Sequence, residues 1–354
     1  MSQSRLRVGI LGATGTVGQR FIVLLQNHPQ FEITHLGASE RSAGQTYKKI
    51  VRWKLSQSMP EDIGGLTVTL CDPAHFEGCS LVFSALDSSV AGPVEDAFAR
   101  AGMAVFSNAK DHRMDPDVPI LIPFCNPDHL DIIPHQQKSR GLTGNGYIIT
   151  NANCASTGLV VALKPLQDAF GIDKVIVFTM QAVSGAGYPG VPSLDIYDNV
   201  VPYISGEEDK LHVEPRKILG RVDGGDTFVD YDVTLSAMCN RVPVIDGHTE
   251  CVSIKLNKTA TLEEVQKALK EFKPKLPALP SMPPVSLQLF EESDRPQPRL
   301  DRDLGRGYTV AVGGVRKCNV LDFKFTLLSH NCVIGAAGGS ILNAELALVR
   351  GYLK

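Results

Sequence analysis

The sequence predicts an α/β fold in two parts: an N-terminal doubly wound, Rossmann-type parallel sheet and a second α+β domain. Three observations carry that prediction. Apolar strand-like runs at 5–11, 31–38, 67–70 and 81–86 are separated by polar or helical stretches, which is the rhythm of βαβ units. The first run passes through Gly12-Ala13-Thr14-Gly15-Thr16-Val17-Gly18 straight into an apolar helical stretch at 19–26. From about Lys174 the texture turns β-rich, at 175–182, 229–242 and 250–256, with a helical stretch at 262–272 after it; a largely antiparallel or mixed sheet suits that pattern.

The remaining segments fit around this frame. Between 273 and 298 prolines recur (Pro274, Pro277, Pro280, Pro283, Pro284, Pro296, Pro298), so neither a helix interior nor a central strand can continue there, and a surface excursion is expected. Gly335-Ala336-Ala337-Gly338-Gly339-Ser340 and the apolar helix at 341–349 read as a return to the first half. The expected division is 1–152 with 330–354 as the nucleotide-binding domain and 153–329 as the second domain. Thirty-five basic and 38 acidic residues leave a formal charge of −3, which points to neither nucleic acid nor an acidic membrane as partner. Met1-Ser2-Gln3-Ser4-Arg5 lacks the apolar core of a signal peptide and no apolar run approaches spanning length, so a soluble cytoplasmic protein is expected. Eight cysteines lack C-x-x-C spacing, which argues against a zinc site or a redox pair and for free thiols.

The spacing Gly12-x-x-Gly15-x-x-Gly18 meets the demands of a dinucleotide site. Glycines allow a tight turn and close backbone approach, and a helix N-terminus then faces a pyrophosphate. A site specific for NAD would place a carboxylate at the end of the second strand, whereas this chain offers Ser39, Arg41 and Ser42, suited to a 2′-phosphate, with Glu40 dissenting. NADP is therefore the favoured cofactor. Ser84, Ala85 and Leu86, ending the fourth strand, would lie along the same crevice.

Asn151-Ala152-Asn153-Cys154 places one cysteine after the apolar run Tyr147-Ile148-Ile149 and at the mouth of a helical stretch at 157–166. Backbone N–H groups there favour a thiolate and can hold an oxyanion, although a small buried hydrophobe is what most free cysteines are. Among nine histidines His248 stands apart, in Arg241-Val242-Pro243-Val244-Ile245-Asp246-Gly247-His248, where a loop between strands can present the ring at a cleft. Arg241 offers a planar fork for a carboxylate. Asn108-Ala109-Lys110-Asp111-His112-Arg113 follows a further strand-like run and suits a phosphate-sized anion; a charged surface loop is an equal alternative. Glu207-Glu208-Asp209-Lys210 carries the same ambiguity, since helix-start carboxylates need no substrate.

Together these residues resemble the aspartate-semialdehyde dehydrogenase family, particularly its fungal and archaeal branch, through the segments 12–18, 107–113, 151–154, 181–187, 207–210, 241–250 and 335–342. The resemblance implies NADPH-dependent reductive dephosphorylation of L-4-aspartyl phosphate to L-aspartate 4-semialdehyde, in biosynthesis of threonine, methionine and, in many organisms, lysine. It implies that Cys154 is the nucleophile, His248 the acid–base residue and Gln181 the group that orients the acyl carbon. Arg241 would bind the α-carboxylate and Glu207 the amino group, with Glu208 as runner-up; Asn108, Arg113 and Lys210 would hold phosphate. Gly12, Thr14, Gly15, Thr16 and Val17, with Ser184, Gly185 and Asn331, would contact NADP(H), and Asn153 and the Cys154 N–H would serve as oxyanion donors. A second domain that is both catalytic and dimerising, in a homodimer or homotetramer, is implied as well. Ile334 and Gly314 depart from the family pattern, standing where basic residues are common. Competing readings are a malonyl-CoA or N-acetylglutamyl-phosphate reductase, a glyceraldehyde-3-phosphate dehydrogenase, whose Ser-Cys-Thr-Thr-Asn context is absent here, and a non-catalytic NADP-sensing protein.

Overall fold

The computed structural model describes residues 5–354, so Met1 to Ser4 of the N-terminal reading lie outside the described residues. Strands β1 (Leu6–Leu11), β2 (Phe31–Ala38), β3 (Val68–Leu70), β4 (Leu81–Ser84), β5 (Ala104–Ser107) and β6 (Tyr147–Thr150) form one sheet in the order β3-β2-β1-β4-β5-β6, with every pairing parallel. Alternate residues of β1, β4, β5 and β6 enter two separate cores: Val8, Ile10, Phe83, Phe106 and Ile149 one of them, Leu11, Val82, Val105 and Ile148 the other. Both faces of the sheet are therefore covered, which is why its strands are apolar throughout rather than alternating. The helices α1 (Thr16–Leu24), α2 (Ala91–Arg100) and α3 (Ile133–Arg140) belong to this half. Leu11, Ser84, Ser107 and Thr150 pair in one row, so the residues that follow them emerge side by side at the carboxyl edge where the strand order reverses.

The second sheet runs β10-β7-β11-β14-β13-β12, from β7 (Ile172–Gln181), β10 (Thr234–Arg241), β11 (His248–Leu256), β12 (Leu287–Leu289), β13 (Val310–Lys317) and β14 (Phe323–Ser329); β8 (Arg221–Asp223) and β9 (Thr227–Val229) form a separate hairpin. It is mixed: β10 with β7 and β12 with β13 are parallel, the other pairs antiparallel. The proline-rich excursion contributes only β12, at the edge, as the missing N–H groups require. Helices α4 (Cys154–Phe170), α5 (Glu207–Ile218) and α6 (Leu262–Lys270) pack with this sheet, whose inward row includes Val175, Val177, Val252, Ile254 and Leu327. Its other row leaves Phe178 45% and Met238 51% exposed, an apolar face that the described residues do not cover. The last helix, α7 (Gly338–Val349), returns to pack on β5. No helix of the described residues is long and apolar enough to cross a membrane.

Two elements begin earlier than their sequence signals. The helix after the glycine turn starts at Thr16, and the one expected from 157 starts at Cys154, because Asn153 caps it by accepting from the Ala155 and Ser156 N–H groups. Gly314 has φ +61 at an irregularity in β13, a conformation an arginine resists, and Ile334 is packed in the core.

Candidate active site

Cys154 opens α4 and His248 opens β11, and Cys154 Sγ lies 3.1 Å from His248 Nε2. The ring is oriented from behind: the Ala182 N–H donates to Nδ1 at 3.0 Å. Nδ1 is thereby the acceptor, and the neutral imidazole carries its proton on Nε2, aimed at sulfur. Burial, then the positive charge of Arg241, pulls the His248 pKa down to about 3. Burial also pushes the Cys154 thiol up, with the Glu207 charge adding to it, even though the thiol lines a cavity and is partly accessible. Burial therefore outweighs the expectation that the helix start favours a thiolate, and two of the first-turn N–H groups are spent on Asn153 Oδ1.

Cys154 lies on a cavity of about 310 Å³ with Asn108, Lys110, Arg113, Asn153, Ser184, Gly185, Glu207, Lys210, Asn331 and Cys332. Glu207, not Glu208, faces it; the Glu208 carboxylate turns away to accept the Cys239 N–H. Glu207 accepts from Lys210 Nζ at 2.5 Å, from Asn153 Nδ2 at 2.9 and 3.1 Å and from Gln181 Nε2 at 3.3 Å. Burial by itself would raise its pKa, but the Lys210 charge and these donors outweigh that and hold it below the ordinary carboxylate value.

Several side chains are committed differently from their sequence reading. The Asn108 amide donates to the Ser84 carbonyl and Ser340 Oγ and accepts from Asn151, so the strand-end row itself uses the donors expected to hold phosphate. The Asn153 amide, expected as an oxyanion donor, is likewise taken by Glu207. Gln181 and Arg241 are buried beneath Gly185 rather than on the cavity wall, with Arg241 Nη1 donating to the Ala182 carbonyl at 3.0 Å and to Gln181 Oε1 at 3.5 Å. A Cβ on Gly185 would stand 2.8 Å from Arg241 and 3.0 Å from His248, so the bare glycine lets the loop lie across both. Asn331 donates to Ser184 Oγ and accepts from the Gly247 N–H.

A second cavity, of about 540 Å³, adjoins the first through Thr16 and Val17, which line both. Thr14, Gly15, Ser42, Ala85 and Leu86 are on its wall, whereas Ser84 is fully buried below the edge and Ser39 and Arg41 sit exposed in the neighbouring turn. Arg52, Lys54 and Tyr188 also line it, and no sequence motif pointed to them. The residues fit a dinucleotide. Gly15 caps α1 with no side-chain bond, leaving its first-turn N–H groups to an anion; Gly12 has φ +76, and a Cβ there would meet the Ala85 carbonyl oxygen at 2.5 Å. A larger groove, about 690 Å³, runs along α6 and the β12–β13 edge, but its wall carries neither thiol nor imidazole.

A dinucleotide crevice opening onto a thiol and an imidazole is the build of an oxidoreductase that works through an acyl-cysteine. Family models described as "Semialdehyde dehydrogenase, NAD binding domain" and "Semialdehyde dehydrogenase, dimerisation domain" match residues 7–133 and 163–334. An aspartate-semialdehyde dehydrogenase of Aspergillus fumigatus is 51% identical over 99% of both chains, and one of Archaeoglobus fulgidus 49% identical over 97% of this chain and 98% of its own. The crystal structure of aspartate-semialdehyde dehydrogenase with NADP from Candida albicans superposes with a TM-score of 0.90 at 46% identity, covering 99% of this chain and all of that one. The chain belongs to the aspartate-semialdehyde dehydrogenase family. The related acyl reductases are not favoured by these comparisons.

Proposed function

We propose that the chain reduces L-4-aspartyl phosphate to L-aspartate 4-semialdehyde through a Cys154 thioester, with NADP(H) as cofactor. The observation that carries this is the 3.1 Å contact of Cys154 Sγ with His248 Nε2 on a cavity that also holds Arg113, Glu207 and Lys210. Sulfur attacks the acyl carbon and the C–S bond forms; the bond from that carbon to the phosphate oxygen breaks, and phosphate leaves with the electron pair and the thiol proton, its charge offset by Arg113 and Lys210. When bound, the reduced nicotinamide supplies hydride to the thioester carbon. Sulfur is then expelled as thiolate, the Nε2–H of His248 being placed to steady it by a hydrogen bond, and solvent returns the proton to sulfur. His248 thus poises the sulfur as donor rather than stripping the thiol of its proton, since a proton on Nδ1 would face the Ala182 N–H.

Glu207 would receive the substrate ammonium by yielding Lys210 to the phosphate, and Arg241 with Gln181 would meet the carboxylate and acyl group after the loop carrying Gly185 moves aside. Ser42, Arg52 and Lys54 on the wall, with Ser39 and Arg41 at its rim, support NADP over NAD. We place the division between nucleotide-binding and catalytic domains at 1–152 with 330–354 and at 153–329. The uncovered Phe178–Met238 face and the dimerisation-domain match support a homo-oligomer, a homodimer or homotetramer, which we place in the cytoplasm.

The deciding experiment follows NADPH formation from L-aspartate 4-semialdehyde with and without phosphate, with NAD for comparison. Turnover that depends on phosphate and prefers NADP is expected; no turnover under any condition removes the assignment. Gly12→Ala is expected to raise the Kd for NADPH by about tenfold or more, because a left-handed φ costs an L-residue about 1–2 kcal/mol before the clash with Ala85 is counted. Fluorescence titration reads this directly, and an unchanged Kd would take the turn out of the cofactor site. Glu207→Gln is expected to raise KM for the semialdehyde about tenfold with KM for NADP unaltered, since a charge-assisted bond is lost at the substrate alone.

A further inference from the structure

We infer that Glu214 is a positioning residue that fixes the distance between the phosphate-binding guanidinium of Arg113 and the thiol of Cys154; this rests on the reading of the site as an acyl-phosphate site. The buried face of α5 recurs at helical spacing through Glu207, Leu211, Glu214, Lys217 and Ile218. Its first turn reaches the substrate cavity through Glu207 and Lys210. Glu214, two turns on, is 2% exposed and divides its carboxylate between two parts of the site. Oε1 accepts from Arg113 Nη1 at 2.9 Å, and Oε2 accepts from the backbone N–H of Asn153 at 2.7 Å, immediately before Cys154.

The guanidinium is held at its other edge too, where Nη2 donates to the Asn108 carbonyl at 2.9 Å, while Nε is buried with no protein acceptor. One turn further along α5, Lys217 Nζ donates to the carbonyls of Arg113, Asp115 and Val118 at 2.8, 2.8 and 2.7 Å. Helix α5 therefore grips the phosphate loop through side chain and backbone alike. In an acyl phosphate the phosphorus and the attacked carbon are separated by one bridging oxygen, so the gap between anion pocket and nucleophile is set by covalent geometry. Two oxygens of one carboxylate tie both ends of that gap, and the rotamer freedom of Arg113 is surrendered on folding instead of on binding.

The test uses the full-length enzyme and compares Glu214→Gln, Glu214→Asp, Arg113→Gln and the double variant Glu214→Gln/Arg113→Gln. Steady-state KM for inorganic phosphate, kcat and KM for NADP are measured in the oxidative direction, together with protection of Cys154 by phosphate against alkylation with iodoacetamide. Glu214→Gln is expected to raise KM for phosphate and lower kcat about tenfold each, an effect of the size that sub-ångström misplacement produces, with KM for NADP within about twofold. Glu214→Asp keeps the charge but cannot span both donors, so it is expected to behave like Glu214→Gln. In the Arg113→Gln background, Glu214→Gln is expected to change KM for phosphate less than twofold, since the two act as one unit. The double variant leaves no unpaired buried charge and so keeps the comparison open if a single variant folds poorly. Wild-type phosphate KM and protection in Glu214→Gln, wild-type behaviour of Glu214→Asp, or additive effects in the double variant would overturn the inference. Absence of phosphate-dependent turnover in the unmutated enzyme would instead overturn the functional reading beneath it.

Discussion

Cys154→Ala is expected to lower kcat by at least about 10⁴-fold, the scale on which removal of a covalent nucleophile acts, while NADPH binds with an unchanged Kd. The two outcomes separate because sulfur sits on the substrate cavity whereas the α1 turn lines the adjoining one, the two sharing only the wall at Thr16, Val17 and Gly187. The substitution removes one small group at the mouth of α4 and leaves its Asn153 cap intact, so the fold is retained. Residual activity within tenfold of wild type, measured on protein verified by mass, would exclude a Cys154 thioester.

His248→Gln is expected to lower kcat about 10²–10⁴-fold, the usual worth of a placed donor at the reacting atom. Stability provides a second, independent readout. The folded pKa of His248 is depressed to about 3, below the ordinary histidine value of 6.5, so the unfolded chain takes up the proton first as pH falls. The neutral buried ring therefore contributes stability that is present above pH 6.5 and is lost on descent toward pH 3. Between pH 7 and pH 4.5 the wild type should lose about 2–3 kcal/mol more unfolding free energy than His248→Gln, as read from urea unfolding. Parallel pH curves for the two proteins would mean that the ring is charged or solvated in the folded state.

The glycine turn, the thiol and the imidazole are legible in the sequence for one physical reason. Each lies where a local periodicity ends, and strand ends and helix starts are where backbone groups and side chains face a cleft. Which direction a strand-end side chain takes is not legible in the same way. Ser84 and Asn108 follow the same kind of signal as Leu86 and Lys110, yet the row of paired strand ends turns Ser84 inward and spends the Asn108 amide on its neighbours. Glu214 and Lys217 read only as a helix of mixed charge; their partners lie about a hundred positions earlier in Arg113 and its loop, and no local spacing encodes such a contact. Arg52 and Lys54 come to the cofactor cleft because Gln19, on α1, bonds the Arg52 carbonyl and the Lys54 N–H. A pattern of residue types registers the chain's own rhythm, whereas commitments of this kind arise only once the layers close.

The ion pairs that line the substrate cavity also govern how it meets ions in solution. Lys210 is matched to Glu207 and Arg113 to Glu214, while Lys110 has no ion-pair partner among the described residues, so two of the three cations on the wall arrive already neutralised. A cleft in that condition gathers few counterions, and simple anions gain little by entering it. A ligand that brings its own ammonium can take Glu207 while its phosphate takes Lys210, exchanging partners without leaving either charge bare. The resting site is thus selective for a zwitterion by electroneutrality, and the addition of salt should weaken its capture far less than the count of cations in the cavity would imply.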